Sequence, residues 1–421
     1  MTLSKFLEKS IKGILYATPA LLLVFYQETL YPFLTLKTSG LYIFVAIIAL
    51  LWSALIILKK GEHLPKITKV NGALLLFICI ATISGLISET PLRSIWSTPE
   101  RLTGIVTLWV MFIYSLALST FIKKEEWKTY LTTAFVTSAL VGVSTLVQRI
   151  SPETFFVKSG SRPGGTLGNP SYLAGYLISY LFLGYALIKN AARGSGVRIL
   201  LAFSLFFAAF AFFGANTRGA ILGLVFAIVY LLIVLAAEQL KDSERRSRYL
   251  LIIAGIVLLI CGTVYSSADS PVWSKIPGIN RVANFSLEDS SVSNRLIEWR
   301  LATKGFLEYP AFGVGYENFR IIADSNYDPR LLRGGFSDTY FDKPHNVPLE
   351  ILSTTGGVGF IAYAFLWILI FSSIRRLPLT KLEKRLSIAA AIAFFIQNCF
   401  VFDTFGTHLT FAIAVAVLSA Y

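Results

Sequence analysis

Three histidines are the residues of this sequence best suited to exchange a proton at neutral pH, because the unperturbed pKa of histidine is about 6.5. His345 lies in KPHNVPLE at the start of a long apolar run, and His408 lies in FDTFGTHLT at the start of the last one. His63 lies in a polar, basic segment, where a solvated surface role is the default. His345 is therefore our candidate general base and His408 the competing candidate, with a structural or capping role as the alternative for each.

Arginines beside turn residues are candidates for binding an anion, because a guanidinium is always charged and its planar fork matches phosphate oxygens. Arg218, in GANTRGA, is the only charged residue between Ile199 and Ala237. Charges within apolar segments are functional by default. An arginine that snorkels to the interface and ends a helical hairpin is the structural alternative.

Arg295 and Trp299 are four residues apart in SVSNRLIEWRLATKGFLEYP, so they share a face of a helix and permit a cation–π contact. A solvated arginine on an amphipathic helix is the alternative. The helix should end before Pro310, and its apolar stripe favours a position in the membrane interface or over the bundle of spans. The stripe consists of Leu296, Trp299, Thr303 and Phe306.

Arg101 and Arg162 lie in two further segments, STPERLTG and SGSRPGGTLGNPSYLAGY. The second segment contains Asn169 and is rich in glycine and proline, which suits a backbone that lines the mouth of a cavity. A plain connecting loop would have much the same composition.

Metal chemistry finds no support in the sequence. No Asp-x-Asp pair occurs, and no cluster of histidine, cysteine and carboxylate residues has the spacing of metal ligands. The three cysteines lie within apolar runs and form no disulfide framework. We therefore expect neither a metal nor a cofactor.

The composition predicts the elements that must position these residues. Of 421 residues, 55% are hydrophobic and 15% are charged, and the mean hydropathy is +0.66. Soluble domains carry roughly 25% charged residues, so an ordinary cytosolic enzyme, a disordered chain and a nucleic-acid-binding domain are excluded. An apolar run of about 20 residues crosses a bilayer as a helix. We predict an all-α polytopic membrane protein with about twelve transmembrane helices, at 11–30, 40–58, 72–88, 103–122, 129–149, 171–188, 199–214, 219–237, 249–266, 346–371, 386–402 and 405–420.

The distribution of lysine and arginine predicts the orientation. With the N-terminus inside, the inner loops carry 22 of these residues and the short outer loops carry 7, which favours N-in and C-in. We interpret the first run as a retained helix, since it lacks a convincing signal-peptide cleavage site. The predicted organisation is transmembrane helices 1–9 over residues 1–266, an outer loop subdomain with amphipathic helices over 267–344, and helices 10–12 over 345–421.

Several motifs together resemble the superfamily of O-antigen ligases and O-antigen polymerases, and most closely an O-antigen ligase. Each motif is modest alone, but their order, spacing and shared outer side are fairly specific over roughly residues 90–405. The motifs are Thr217-Arg218-Gly219, Arg295 with Trp299, Pro310 through Phe319, His345-Asn346 through Gly359, and the segment GGTLGNPSYLAGYL. Ser171 and Asn216 depart from the commonest pattern, which leaves the subfamily open.

The resemblance implies a metal-independent glycosyltransferase of the bacterial inner membrane, with its site on the periplasmic face. It would move a glycan from a polyprenyl-diphosphate carrier to a hydroxyl acceptor, such as a lipid A-core sugar, in contact with membrane lipid and without nucleic acid. His345 would act as the base, while Arg218 and Arg295 would bind the diphosphate. Further candidates for substrate contact are Arg101, Arg162, Asn169, Trp299, Asn346 and His408.

Two kinds of alternative stay open at this point. The acceptor could be a growing O-antigen polymer, or a serine or threonine of a protein, and nothing in the sequence separates these from a lipid A-core sugar. The chain could instead flip lipid-linked glycans. A flippase needs a polar path through the bilayer, and the predicted spans carry almost no charge away from their ends, which favours chemistry at the outer face.

Overall fold

The computed structural model describes residues 2–151, 162–239, 290–334 and 341–421, with five single residues between 245 and 255. All regular structure in these ranges is helical. The α-helices are α1 Leu3–Ala17, α2 Thr35–Leu58, α3 Lys69–Leu86, α4 Pro91–Trp96, α5 Ile105–Phe121, α6 Trp127–Ile150, α7 Pro170–Lys189, α8 Gly196–Gly214, α9 Arg218–Gln239, α10 Ser290–Glu308, α11 Phe319–Ser325, α12 Val347–Arg376, α13 Lys381–Asn398 and α14 Phe405–Ala420.

Seven of the described helices are long and apolar enough to cross a membrane: α2, α3, α6, α7, α8, α9 and α12. The chain is therefore an all-helical protein with several candidate membrane spans. Helices α5 and α14 are apolar but shorter, and α13 begins with a charged turn, KLEKR. Apart from Tyr249, Ile252 and Gly255, the predicted span 249–266 lies outside the described residues. The total of twelve spans and their orientation stay predictions.

The first apolar run is not the single helix that the sequence predicts over 11–30. Helix α1 begins at Leu3 and ends at Ala17, and a short 3₁₀ helix, Thr18–Leu23, follows it. Pro19 lies in this 3₁₀ helix, where its missing N–H prevents the α-helical hydrogen bond from continuing. The hydropathy is high along the whole run, so it does not indicate this break.

Packing between neighbouring helices builds one large core. The most extensive contacts join α9 with α13, α3 with α12, and α8 with both α6 and α7. A polar pair lies within this core, where the hydroxyls of Tyr114 and Tyr130 are 2.5 Å apart and both side chains are fully buried. Each hydroxyl thereby satisfies the other, as a buried polar group requires.

Helix α12 is broken at Gly356, which has a φ of +67°. The segment 310–315 lies against this break, and the N–H of Gly357 donates to the carbonyl of Pro310 at 2.8 Å. A β-carbon at Gly356 would lie 2.2 Å from the carbonyl oxygen of Ala311. The glycines of TTGGVG predict close approach by a helix or a lipid chain, and the structure shows that this loop makes the approach instead.

Residues 290–334 are predicted from the sequence to belong to the outer loop and are called the outer segment below. They have a small core of their own, formed where α10 and α11 pack together. Ile297, Leu301, Phe319 and Ile322 are buried in it. The stripe predicted for α10 is not the face that packs on the protein, because Leu296 is 49% exposed and Thr303 is also exposed; its position in the membrane interface stays a prediction. The buried face lies about one position further along the helix, and it packs against α11 and α12.

Lys37 is a buried cation that joins separate parts of the chain. Its side chain is 1% exposed, and its ammonium donates to the carbonyls of Phe33 at 2.8 Å and Thr166 at 2.7 Å, and to that of Val24. These bonds join the start of α2 to the turn before α7. A lysine with three donors suits three carbonyls.

Replacement of Lys37 by methionine should destabilise the fold on the order of 3 kcal/mol, because three buried carbonyls would lose a charged donor. Unfolding in detergent, followed by circular dichroism, measures the change. Lys5→Met, at an exposed position of α1, is the control and should unfold like the parent chain. Equal midpoints for both variants would contradict the structural role of Lys37.

Candidate functional site

The segment Asp342–Asn346, immediately before α12, is held by contacts to distant parts of the chain. Three of its five side chains contact residues elsewhere in the fold, so its conformation depends on tertiary structure, and a fourth makes a local cap. The contacts are Asp342 with Arg101, Lys343 with Glu317 and Glu350, His345 with Glu298, and Asn346 with the N–H of Leu349. Asn346 thus caps α12, as Ser, Thr, Asp and Asn commonly cap helices.

His345 faces a carboxylate from the outer segment. Its Nδ1 lies 2.9 Å from Oε2 of Glu298, and the histidine side chain is 28% exposed whereas that of Glu298 is 1% exposed. The backbone of His345 has a φ of +49°. Such a conformation costs a non-glycine residue roughly 1–3 kcal/mol and persists only where the surroundings fix it.

Arg295 shares the surroundings of this pair. Burial raises the pKa of Glu298 above its usual value, while the hydrogen bond and charge of His345 and the charge of Arg295 act in the opposite direction. Arg295 is therefore close enough to Glu298 to act on its charge. Arg295, Glu298 and Trp299 follow one another at i, i+3 and i+4, which places them on one face of α10.

Arg218 begins α9, next to a turn that receives two other guanidinium groups. The carbonyl of Asn216 accepts from Arg162, and that of Gly214 accepts from Arg149, each at 3.4 Å. Three arginines from α6, the segment before α7 and the start of α9 thus surround residues 214–217. The sequence predicts roles for Arg162 and Arg218 but not for Arg149, which ends α6 as an ordinary flanking cation would.

Residues 400–403, which link α13 to α14, connect the predicted site residues. Phe400 contacts Trp299, with ring centroids 6.0 Å apart, and a β-carbon at Gly219 would lie 2.7 Å from its Cβ. This linker therefore lies between α10 and the start of α9. Two aromatic residues in FVFD, between two apolar runs, are the only sequence signal for it.

Phe402, two residues further on, contacts a different set of residues. Its ring centroid lies 5.1 Å from that of His345 and 5.6 Å from that of Tyr172, and Cζ of Arg101 lies 4.1 Å above it. The linker thus contacts His345, Trp299 and Arg101 through two side chains. The sequence analysis missed both phenylalanines, because aromatic residues are common in apolar runs.

Arg101 is engaged by a bidentate ion pair. Its Nε and Nη2 donate to the two carboxylate oxygens of Asp342 at 2.7 and 2.8 Å, and Nη1 donates to the hydroxyl of Tyr172 at 2.8 Å. Burial acts to lower the pKa of Arg101, but Asp342 outweighs it and raises that pKa. In return Arg101 holds the pKa of Asp342 below its usual value despite burial. Arg101 thereby positions the 342–346 segment.

Asn169 and Arg101 line the same cavity, which has a volume of about 260 Å³. The side chain of Asn169 caps α7 by accepting from the N–H of Ser171 at 2.8 Å. The residues around the predicted Gly-Asn-Pro motif therefore do line a cavity, beside Phe402 and Asp403.

Lys343 lies at the centre of a buried charge cluster that the sequence analysis missed. Its ammonium is 2.7 Å from a carboxylate oxygen of Glu317 and 2.6 Å from one of Glu350. Burial acts to lower the pKa of Lys343, but the two carboxylates raise it above its usual value. The cluster joins the outer segment to the first turn of α12.

His408 belongs to the surroundings of this cluster rather than to those of Glu298. It lines a small cavity of about 80 Å³ together with Lys343, Glu350 and Asp403. The two candidate histidines thus lie in different environments. His345 is the one beside Glu298 and Phe402, near Arg295.

Residues 203–364 match the O-antigen ligase family. The match includes Arg218, Arg295 and Trp299 together with the whole 342–346 segment, and it confirms the resemblance indicated by the sequence motifs. It does not include Arg101, Arg162, Asn169 or His408. No protein in the curated collection matches the chain.

Replacement of Lys343 by methionine should destabilise the fold by roughly 3–5 kcal/mol, because two buried carboxylates would lose their shared cation. The double variant Lys343→Met/Glu350→Gln should be more stable than the single variant, since it removes one of the facing charges. Unfolding midpoints in detergent compare them, with Lys304→Met, exposed on α10, as the control. A single variant as stable as the control would contradict the role of the cluster.

Proposed function

We propose that this chain, whose residues 203–364 match the O-antigen ligase family, transfers a glycan from a polyprenyl-diphosphate carrier to a hydroxyl acceptor. The observation that carries the proposal is the contact between His345 and Glu298, made within the matched region and beside Arg295. An imidazole backed by a carboxylate is a recurrent arrangement for general base catalysis.

The proton transfer follows from the geometry of this pair. With Glu298 ionised, Nδ1–H of His345 donates to the carboxylate, and Nε2 is left with the lone pair that accepts a proton. The acceptor oxygen loses its proton to Nε2 as it forms a bond to the anomeric carbon, and the bond from that carbon to the diphosphate oxygen breaks. Glu298 stabilises the imidazolium that forms. A single displacement of this kind inverts the anomeric configuration.

The leaving group is an anion, so preorganised cations beside it lower the barrier. Arg295 lies on the face of α10 that carries Glu298. Arg218 lies at the start of α9, next to a turn that two other arginines contact. A helix N-terminus also favours an anion, because its backbone N–H groups point outward. We assign the diphosphate to Arg218 and Arg295, with Arg162 and Arg149 nearby, and we infer that no metal is needed.

The setting that we propose is the periplasmic face of a bacterial inner membrane, with both termini inside. In this proposal the spans cover 1–266 and 345–421, an outer subdomain covers 267–344, and His345 lies at that face. Because α10 and α11 pack against α12, the outer subdomain and His345 lie on the same side in this proposal. A lipid A-core sugar is the proposed acceptor.

The acceptor and the transport alternative are separable by experiment. Purified chain in liposomes is supplied with polyprenyl-diphosphate glycan and, in parallel, with lipid A-core, with a glycan polymer precursor or with a protein acceptor. Product on lipid A-core supports the ligase assignment, whereas product on another acceptor would assign the chain to a polymerase or to a protein glycosyltransferase. A His345→Gln variant that still moves the lipid-linked glycan across the bilayer would support a flippase.

His345→Gln should lower the rate of transfer by about 10²–10⁴-fold, the usual contribution of a general base. The assay contains EDTA, in which the parent chain should keep its full activity. A wild-type rate of transfer in the His345 variant would contradict its assignment as the base. If the parent chain lost activity in EDTA and Mg²⁺ restored it, the reaction would depend on a metal.

Glu298→Gln should lower kcat on the order of tenfold or more and leave both KM values unchanged, because the glutamine cannot stabilise the imidazolium. Glu298→Asp should recover part of the rate. Glu308→Gln, exposed on the same helix, is the matched control. A kcat for Glu298→Gln equal to that of this control would show that the carboxylate has no part in the reaction.

Charge reversal at Arg218 or Arg295 should raise the KM for the donor and lower kcat, since each guanidinium opposes the charge of the diphosphate. Initial rates at varied donor concentration measure this, and the KM for the acceptor should change little. Lys304→Glu, at an exposed position of α10, controls for net charge. Donor kinetics like those of the control in both variants would rule out the diphosphate site.

A further inference from the structure

A cavity beside Phe402 has no role in the chemistry described above. Its volume is about 260 Å³, and it lies between residues 30–34, the turn 167–169 and the start of α14. Pockets for drug-sized ligands have volumes of about 300–1,000 Å³. This cavity is therefore of a size for one small polar unit rather than for a lipid chain.

The polar groups of the cavity are rich in hydrogen-bond acceptors. Glu100 and Asp403 contribute carboxylates. The two cations in the wall are already engaged, Arg101 by Asp342 and Lys37 by three backbone carbonyls. A phosphate would meet acceptors of its own sign here, whereas a hydroxyl-bearing ligand would find partners for its O–H groups.

The apolar part of the wall is partly aromatic and partly aliphatic. Tyr31, Phe33 and Phe402 line it, and flat aromatic rings offer a surface against which the C–H face of a sugar ring can pack. Carboxylates to accept from hydroxyls and rings to pack on C–H groups are together the features that a neutral sugar requires.

The position of the cavity relates it to His345. Phe402 lines the cavity and also contacts the imidazole, with ring centroids 5.1 Å apart. Phe400 instead lies near the parts of the chain that carry Arg218 and Arg295, since it contacts Trp299 on α10 and lies against Gly219 on α9. The acceptor sugar and the donor diphosphate would thus approach the base from different parts of the 400–403 linker.

We propose that this cavity binds the neutral sugar unit that presents the acceptor hydroxyl, with Glu100 and Asp403 accepting hydrogen bonds from its other hydroxyls. The assignment to the acceptor rests on the proposed function. The cavity's affinity for a sugar does not, because it follows from the lining residues alone.

Binding of sugars can be measured without catalysis. Full-length chain in nanodiscs is tested by saturation-transfer NMR with glucose, galactose, mannose and N-acetylglucosamine as probes. At least one probe should receive saturation from the parent chain, and the signal should fall severalfold in Glu100→Gln and Asp403→Asn. Glu89→Gln, at an exposed position before α4, should retain it. Signals that are equal in all four proteins, or absent from the parent, would overturn the sugar site.

Transfer kinetics then separate the acceptor from the donor. With polyprenyl-diphosphate glycan and lipid A-core as substrates, Glu100→Gln and Asp403→Asn should each raise the KM for the acceptor about tenfold, the worth of one charged hydrogen bond. The KM for the donor should stay unchanged. A raised donor KM with an unchanged acceptor KM would overturn the acceptor assignment. Sugar binding by a parent chain that transfers to no acceptor would overturn the proposed function and the acceptor assignment, but not the sugar site.

Discussion

The burial of charge around the start of α12 determines where the candidate base lies. Asp342 faces Arg101, Lys343 faces Glu317 and Glu350, and His345 faces the carboxylate of Glu298. All of these partners except Glu350 lie far away in the sequence. A buried charge is costly unless every partner is in place. The 342–346 segment therefore has few alternative conformations once the outer segment has packed against α12. This packing holds His345 at a positive φ.

The helices were largely predictable, because hydropathy depends on composition over many residues and tolerates local detail. Apolar runs at 40–58, 72–88 and 171–188 correspond to α2, α3 and α7 with ends shifted by a few residues. The failures have tertiary or stereochemical causes. The run 11–30 breaks near Pro19, and the buried face of α10 depends on α11, which no periodicity within α10 reveals.

The site was predictable in part. Residue chemistry and motif order identified His345, Arg218 and Arg295, since few polar residues occur beside the apolar runs. Glu298 was not identified, because a glutamate on an amphipathic helix 47 residues from the histidine looks like a solvated residue. Lys343 and Phe402 were missed for the same physical reason: their partners meet only after folding. Arg101 was expected to be available for a substrate, and its ion pair with Asp342 shows that it also holds the 342–346 segment in place.

The central claim is that an imidazole on a segment fixed by buried ion pairs faces the reacting carbon while arginines from α9 and α10 hold the diphosphate. A cryo-EM structure of the full chain with a non-transferable polyprenyl-diphosphate glycan tests this most directly. The account predicts phosphate oxygens within hydrogen-bonding distance of the guanidinium groups of Arg218 and Arg295, and the anomeric carbon beside Nε2 of His345. A diphosphate bound elsewhere, with the sugar remote from Nε2 of His345, would contradict it.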